Sequence, residues 1–166
     1  PPPPPVLPAQ ELTESLLYEL LLAEIALQRG DAALAAQTYT ELARRTRDPR
    51  IARRAVEMAN AARTPHLALE AARAWHEADP SSLQALQTLT ALLVSARKVE
   101  ETEPYLARLL ASDGAAAANG FMQLSRLLAG NPDKQANLRL VRALAGKYPD
   151  LPQARIAVAQ AALAAN

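Results

Sequence analysis

Four turn signals recur along this chain at nearly constant distance, and that spacing limits what it can fold into. Gly30, Arg63, Arg97 and Pro132 each interrupt an apolar periodic stretch, at intervals of 33, 34 and 35 residues. A period of this length means one supersecondary unit used several times. Residues in fixed register with the markers are alike. Seven before them stand Ala23, Val56, Thr90 and Ser125, all small or β-branched, as close helix contacts require. Five after them stand Ala35, Ala68, Thr102 and Asn137. Nine after are Tyr39, Ala72, Leu106 and Val141, and twelve after are Leu42, Trp75, Leu109 and Leu144.

Between the markers the apolar spacing is helical. Leu12, Leu16, Tyr18, Leu21, Leu22, Ile25 and Ala26 form a broad stripe that predicts a first helix. Gly30-Asp31 stops it, Gly serving the left-handed C-terminal position and Asp capping the next helix. The second helix carries Leu34, Ala35, Tyr39, Leu42 and Ala43 and stops before Asp48-Pro49. The same pattern predicts pairs at about 50–62 with 65–78, 82–96 with 101–110, and 116–129 with a helix ending near 147. Asp79-Pro80, Ser112-Asp113-Gly114 and Tyr148-Pro149-Asp150 close these units. Pro104 is tolerated because it falls in a first turn. Residues 11–150 thus read as four helix pairs, and 151–166 as the first helix of a further, truncated repeat. Residues 1–10, with Pro1 to Pro5 and Pro8, read as an extended Pro-rich linker.

Composition agrees. Ala and Leu number 38 and 28 of 166 residues, and both lead the helix propensity scale. Val, Ile and Thr are sparse, so a large sheet is not expected. One Trp and one Phe make a thin core for a globule, but a sufficient one for helices stacked through small side chains. The absence of Cys removes disulfides and Cys-ligated metal sites. A net charge of +1 argues against bulk nucleic-acid affinity. No apolar run reaches the length of a membrane span.

No catalytic constellation is present. His66 and His76 are ten apart, with no HExxH or similar spacing. There is no phosphate-binding Gly-rich loop and no nucleophile elbow. Glu70 and Glu77 beside Arg73 read as solvated ion pairs. The chain is therefore expected to be non-catalytic, with no cofactor and no metal. Its most informative polar stretch is Arg44 to Arg54, with Arg44, Arg45, Arg47, Arg50, Arg53 and Arg54 opposed by Asp48 alone. The first three suit a helix C-terminus. Arg50, Arg53 and Arg54 open the next helix, where the dipole opposes them, so they are candidates for an acidic partner.

The helix-pair register resembles the tetratricopeptide repeat, best seen in Tyr18 to Pro49 with its Ala23, Gly30-Asp31, Ala35 and Tyr39. The resemblance implies an all-α, right-handed α-solenoid whose first helices line a groove for protein or peptide partners. Carried over by register, that groove comprises Leu20, Glu24, Gln28, Arg50, Arg53, Glu57, Asn60, Gln84, Gln87, Met122 and Arg126, with Arg54 added from the charge pattern. Chaperone-binding members of the family use a Lys, Asn and Arg carboxylate clamp. Here Glu24 stands where the first clamp Asn would be and Gln84 where a clamp Lys would be, so chaperone tails are not the expected ligand.

A narrower resemblance covers residues 16–60. Leu17 through Gly30, Thr46-Arg47-Asp48-Pro49 and Arg53-Arg54-Ala55 are similar to the N-terminal repeats of exported bacterial tetratricopeptide proteins, often outer-membrane lipoproteins. One group of these is the adaptor of a periplasmic carboxy-terminal-processing protease. The expectation is thus a protein–protein interaction scaffold in the bacterial periplasm, recruiting a protease or assembly partner. Membrane contact would come only through an N-terminal anchor outside the sequence, and self-association through the last helix. The alternative is a polyanion or nucleic-acid binder using Arg44–Arg54.

Overall fold

The computed structural model describes Leu7, residues 11–111 and residues 114–166, with the backbone alone for 114–116. Among the described residues it is all-α, without strands. The helices are α1 (Glu14–Gln28), α2 (Ala32–Thr46), α3 (Pro49–Ala61), α4 (Pro65–Ala78), α5 (Leu83–Ser95), α6 (Glu103–Leu110), α7 (Gly114–Leu128), α8 (Lys134–Ala145) and α9 (Pro152–Ala165). The expected linker at 1–10 lies outside the described residues apart from Leu7, as does the Ser112-Asp113 part of one closing turn. The chain divides into two compact units, Pro1–Leu92 and Leu93–Asn166.

The repeat register appears as a repeated helix ending. Gly30, Arg63 and Arg97 have φ of 83°, 54° and 61°. At each, two backbone bonds close the same double turn. Gly30 N–H donates to Leu27 O at 3.0 Å and Asp31 N–H to Ala26 O at 2.9 Å. Arg63 and Thr64 donate likewise to Asn60 O and Ala59 O, and Arg97 and Lys98 to Val94 O and Leu93 O. This is the Schellman ending, which satisfies the last carbonyls of a helix and turns the chain back. Side chains start the following helices. Asp31 Oδ1 accepts from Leu34 N–H at 3.0 Å, Ser82 Oγ from Ala85 N–H at 3.2 Å and Asp133 Oδ1 from Ala136 N–H at 2.8 Å. Pro49, Pro65 and Pro152 sit at the first helical turn, where a missing N–H costs nothing.

In the unit 1–92, α2 packs on α1, α3 and α4, and α3 packs on α4. The register positions are where the helices meet. Ala23, Ala35 and Ala68 are fully buried, as are Ala72 and Leu42, with Tyr39, Val56 and Trp75 nearly so. Small side chains let neighbouring backbones approach, which is why an Ala-rich chain can still exclude water here.

The unit 93–166 has its own core, in which Leu106, Leu110, Phe121, Leu124, Leu140 and Leu144 are central. Phe121 meets Tyr148 edge to face, ring centroids 5.6 Å apart. Gly120 faces Leu110, whose side chain occupies the space a Cβ at 120 would need. A 3-10 turn, Val99–Thr102, precedes α6 and moves its start to Glu103, two residues past the expected one. Buried Thr102 donates its hydroxyl to Val99 O within that turn.

The fourth marker behaves differently. No left-handed residue occurs at 130–132. Instead Asn131, 2% exposed, donates its amide to Asn137 Oδ1 at 2.7 Å, and Asn137 donates to Leu128 O at 3.0 Å. The paired amides explain how a polar Asn137 occupies a buried small-residue position: each buried polar group finds a partner. Ser125, in register with Ala23, is exposed and donates to Gln160 Oε1. The apolar residues of α9 divide between core and surface. Ala154 and Ala157 are buried, Val158 and Ala161 pack against the core, and Ile156 and Leu163 are exposed.

Candidate interaction surface

The candidate surface begins with α1 and α3, the first helices of the first two pairs. Glu24 on α1 joins them. Its Oε1 accepts from the Tyr39 hydroxyl on α2 and from Arg54 Nη2 on α3, the latter at 3.3 Å. Arg54 also donates to Glu57 Oε2 at 3.3 Å, and Arg53 donates to Glu57 Oε1 at 3.3 Å. Glu24, Arg53, Arg54 and Glu57 thus form one chain of charge along the α1–α3 surface. The Tyr39 hydrogen bond, then Arg54, hold the Glu24 carboxyl below its ordinary range against partial burial. Burial, then the Glu24 carboxylate, push the Tyr39 hydroxyl up to about 12.

Arg50 is placed differently. Its Nε and Nη2 reach Asp48 Oδ1 and Oδ2 at 3.0 and 2.6 Å, and its backbone N–H donates to the same Oδ1 at 2.8 Å. It is therefore tied to the cap of its own helix. Leu20 is half-buried, whereas Gln28, Asn60, Gln84 and Gln87 are exposed on α1, α3 and α5. Met122 and Arg126 are exposed on α7, in the other unit. The structure brings Glu24, Arg53, Arg54 and Glu57 into direct contact. Leu20, Gln28, Arg50, Asn60, Gln84 and Gln87 are not part of that group.

The Arg44–Arg54 run is not one basic face. Arg45 pairs with Glu19 at 3.0 Å, Arg44 with Glu41 at 3.7 Å, and Arg50, Arg53 and Arg54 are engaged as above. The Arg45 hydrogen bond lowers the Glu19 carboxyl from its ordinary value. Arg44 and Arg47 also line an open cleft of about 380 Å³ with Arg73, Glu70 and Glu77, on the α2–α4 side. Sequence reasoning missed two participants. Tyr39 enters the sequence pattern only as a register position of the helix pairs, and Glu19 stands outside the charge pattern. The helical spacing of Glu19 and Glu24 on α1, opposite the Arg-rich end of α2 and start of α3, was the available signal. No helix among the described residues is long and apolar enough to cross a membrane.

The architecture is an all-α array of tetratricopeptide-type helix pairs. Comparison with known proteins supports that reading. Over 139 residues, 83% of its length, the chain is 32% identical to a TPR repeat-containing protein of Pseudomonas aeruginosa. The chain spans 23% of that relative's length. No protein-family model matches the chain.

Proposed function

We propose that this chain is a non-catalytic interaction scaffold of the bacterial envelope, recruiting a protease or an assembly partner through the surface of its first helices. The supporting observation is the cross-helix row Glu24–Arg54–Glu57–Arg53, an alternation of carboxylates and guanidiniums across α1 and α3. Such a row orients a charged protein or peptide ligand and discriminates against one of the wrong charge pattern. Gln84 and Gln87 hold the same register positions on α5. The periplasmic setting and the protease partner rest on the likeness of residues 16–60 to exported repeat proteins.

The test is affinity purification of the tagged full-length protein from cell envelope, with partners identified by mass. Arg53→Glu should deplete the captured partner while leaving the helical circular dichroism unchanged. A partner captured equally by wild type and Arg53→Glu would exclude this surface.

The polyanion reading keeps one observation, the Arg44, Arg47 and Arg73 cleft. Two carboxylates line it as well, which weakens it. A steep fall of oligonucleotide affinity with salt, abolished by Arg47→Glu, would favour that reading instead.

A further inference from the structure

Helix α1 buries one side and leaves a second apolar side uncovered. Leu16, Ala23 and Ala26 are buried, while Leu17, Tyr18, Leu21 and Ile25 are exposed by 44%, 67%, 52% and 47%. At about 100° per residue the four exposed side chains occupy an arc of roughly 100°, opposite the buried ones. Isolated exposed apolar residues are ordinary, but a contiguous stripe on one helix marks an interaction surface.

The charges at its ends identify the occupant. Glu14 lies at the N-terminal end of the stripe and Arg29 follows its C-terminal end, separated by roughly 22 Å of helix. Among the described residues neither has an ion-pair partner. Leu21 lies midway, four residues from both Leu17 and Ile25. A stripe that is apolar at its centre, acidic at one end and basic at the other is complementary to itself when reversed. A parallel copy would set Glu14 against Glu14 and Arg29 against Arg29.

We propose that α1 is a two-fold, antiparallel self-association surface whose occupant is α1 of a second copy of this chain. Leu21 packs on its own equivalent at the axis, Leu17 lies against Ile25 of the second copy, and Glu14 pairs with Arg29 of the second copy at both ends. This is the isologous arrangement that closes a dimer without propagating. Helix α9 is a poorer occupant. It exposes Ile156 and Leu163, carries no carboxylate to meet Arg29, and its one charged side chain, Arg155, donates to Pro149 O. One helix seam buries less than the ~800 Å² per partner of a standard interface, so the dimer is weak.

Sedimentation velocity of the 166-residue chain from roughly 10 to 500 μM at low salt reads the association directly, in the range expected of a small interface. The expected result is a sedimentation coefficient that rises with concentration and loses that rise in Leu21→Glu. Glu14→Arg should weaken the dimer about tenfold, and Glu14→Arg with Arg29→Glu should restore it, because the swap exchanges both ends of the same pairs. Should Leu21→Glu fail to fold by circular dichroism, the surface charge swap carries the test alone. A concentration-independent wild type overturns the proposal. So does a dimer lost in Leu163→Glu but kept in Leu21→Glu, or a double swap without recovery. Arg53→Glu should leave the dimer intact, which separates this surface from the partner-binding one.

Discussion

Asp48 and Arg50 form a two-pronged pair across a single turn, with the carboxylate buried and the guanidinium in water. The Asp48 side chain is 3% exposed and that of Arg50 65%. Asp48 Oδ1 also accepts the Arg50 backbone N–H, so one carboxylate caps α3 and orients the first arginine of that helix. A free charge at a helix N-terminus would oppose the dipole if it were a cation. Here the cation is neutralised by the residue that starts the helix.

Replacing Asp48 by Ala should destabilise the protein by about 1–2 kcal/mol, the cost of a lost cap. The Arg50 hydrogen bond, then its backbone N–H and charge, hold the Asp48 carboxyl below its ordinary range despite burial. A depressed folded pKa contributes stability that is full above the unfolded value near 4 and is lost as pH falls through the folded value. Urea midpoints of wild type and Asp48→Asn should therefore differ at pH 7 and converge below about pH 4. A difference that stays constant down to pH 2 would remove the carboxylate from the account.

Tyr39 supplies the opposite limb of the pH profile. Its hydroxyl is pushed up to about 12 by burial and by its bond to Glu24. A raised folded value gives stability that is complete below the unfolded value near 10 and is lost as pH rises through 12. Ultraviolet titration should show one tyrosine ionising late in the folded protein, and Tyr39→Phe should delete that late step. Tyr39→Phe should cost about 1 kcal/mol at neutral pH, less any relief of the Glu24 carboxylate by water.

Arg63 and Arg97 adopt the left-handed conformation that Gly30 adopts without strain. A side chain costs roughly 1 kcal/mol there, whereas glycine's freedom is already needed by the turn. Arg63→Gly should raise the denaturation midpoint by an amount equivalent to about 1 kcal/mol. Arg63→Val, β-branched at the same φ, should lower it. An unchanged Arg63→Gly midpoint would mean that the arginine side chain returns an equal contribution elsewhere.

The all-α pairing was legible because turn residues and close-contact residues repeat at a fixed interval, and both requirements are local. Asp31 was readable as a cap for the same reason. Three features were not. The left-handed turn at Arg63 and Arg97 is imposed by helix pairing rather than by residue type, since nothing about arginine favours positive φ. The buried Asn131–Asn137 pair is recognisable only when both amides are known to face inward. The arginine run divides at a helix boundary that the sequence shows, but the faces its two halves reach are set by packing. In space the helix boundary at Asp48 sends Arg44 and Arg47 to the α2–α4 cleft and Arg53 and Arg54 to the α1–α3 surface. Charge on consecutive helices must be sorted by face before it is summed.

The register itself can be tested by two substitutions of identical chemistry. Ala35 and Ala33 lie two residues apart on α2; Ala35 is fully buried and Ala33 is exposed. Ala35 is five past Gly30, the position filled in the next pair by fully buried Ala68. Three added carbons at Ala35 must push α2 away from the helices packed on it, because a close-packed interior has no room for them. Ala35→Leu should therefore destabilise by about 1–3 kcal/mol or more. Ala33→Leu, adding the same carbons in water with nearly equal helix propensity, should change stability by less than about 0.5 kcal/mol. Ala68→Leu should behave as Ala35→Leu does, since both sit at the same step of the repeat. Thermal denaturation of the three variants measures the comparison. Equal stability of Ala35→Leu and Ala33→Leu would show that the 33-residue spacing marks turns but not helix contacts.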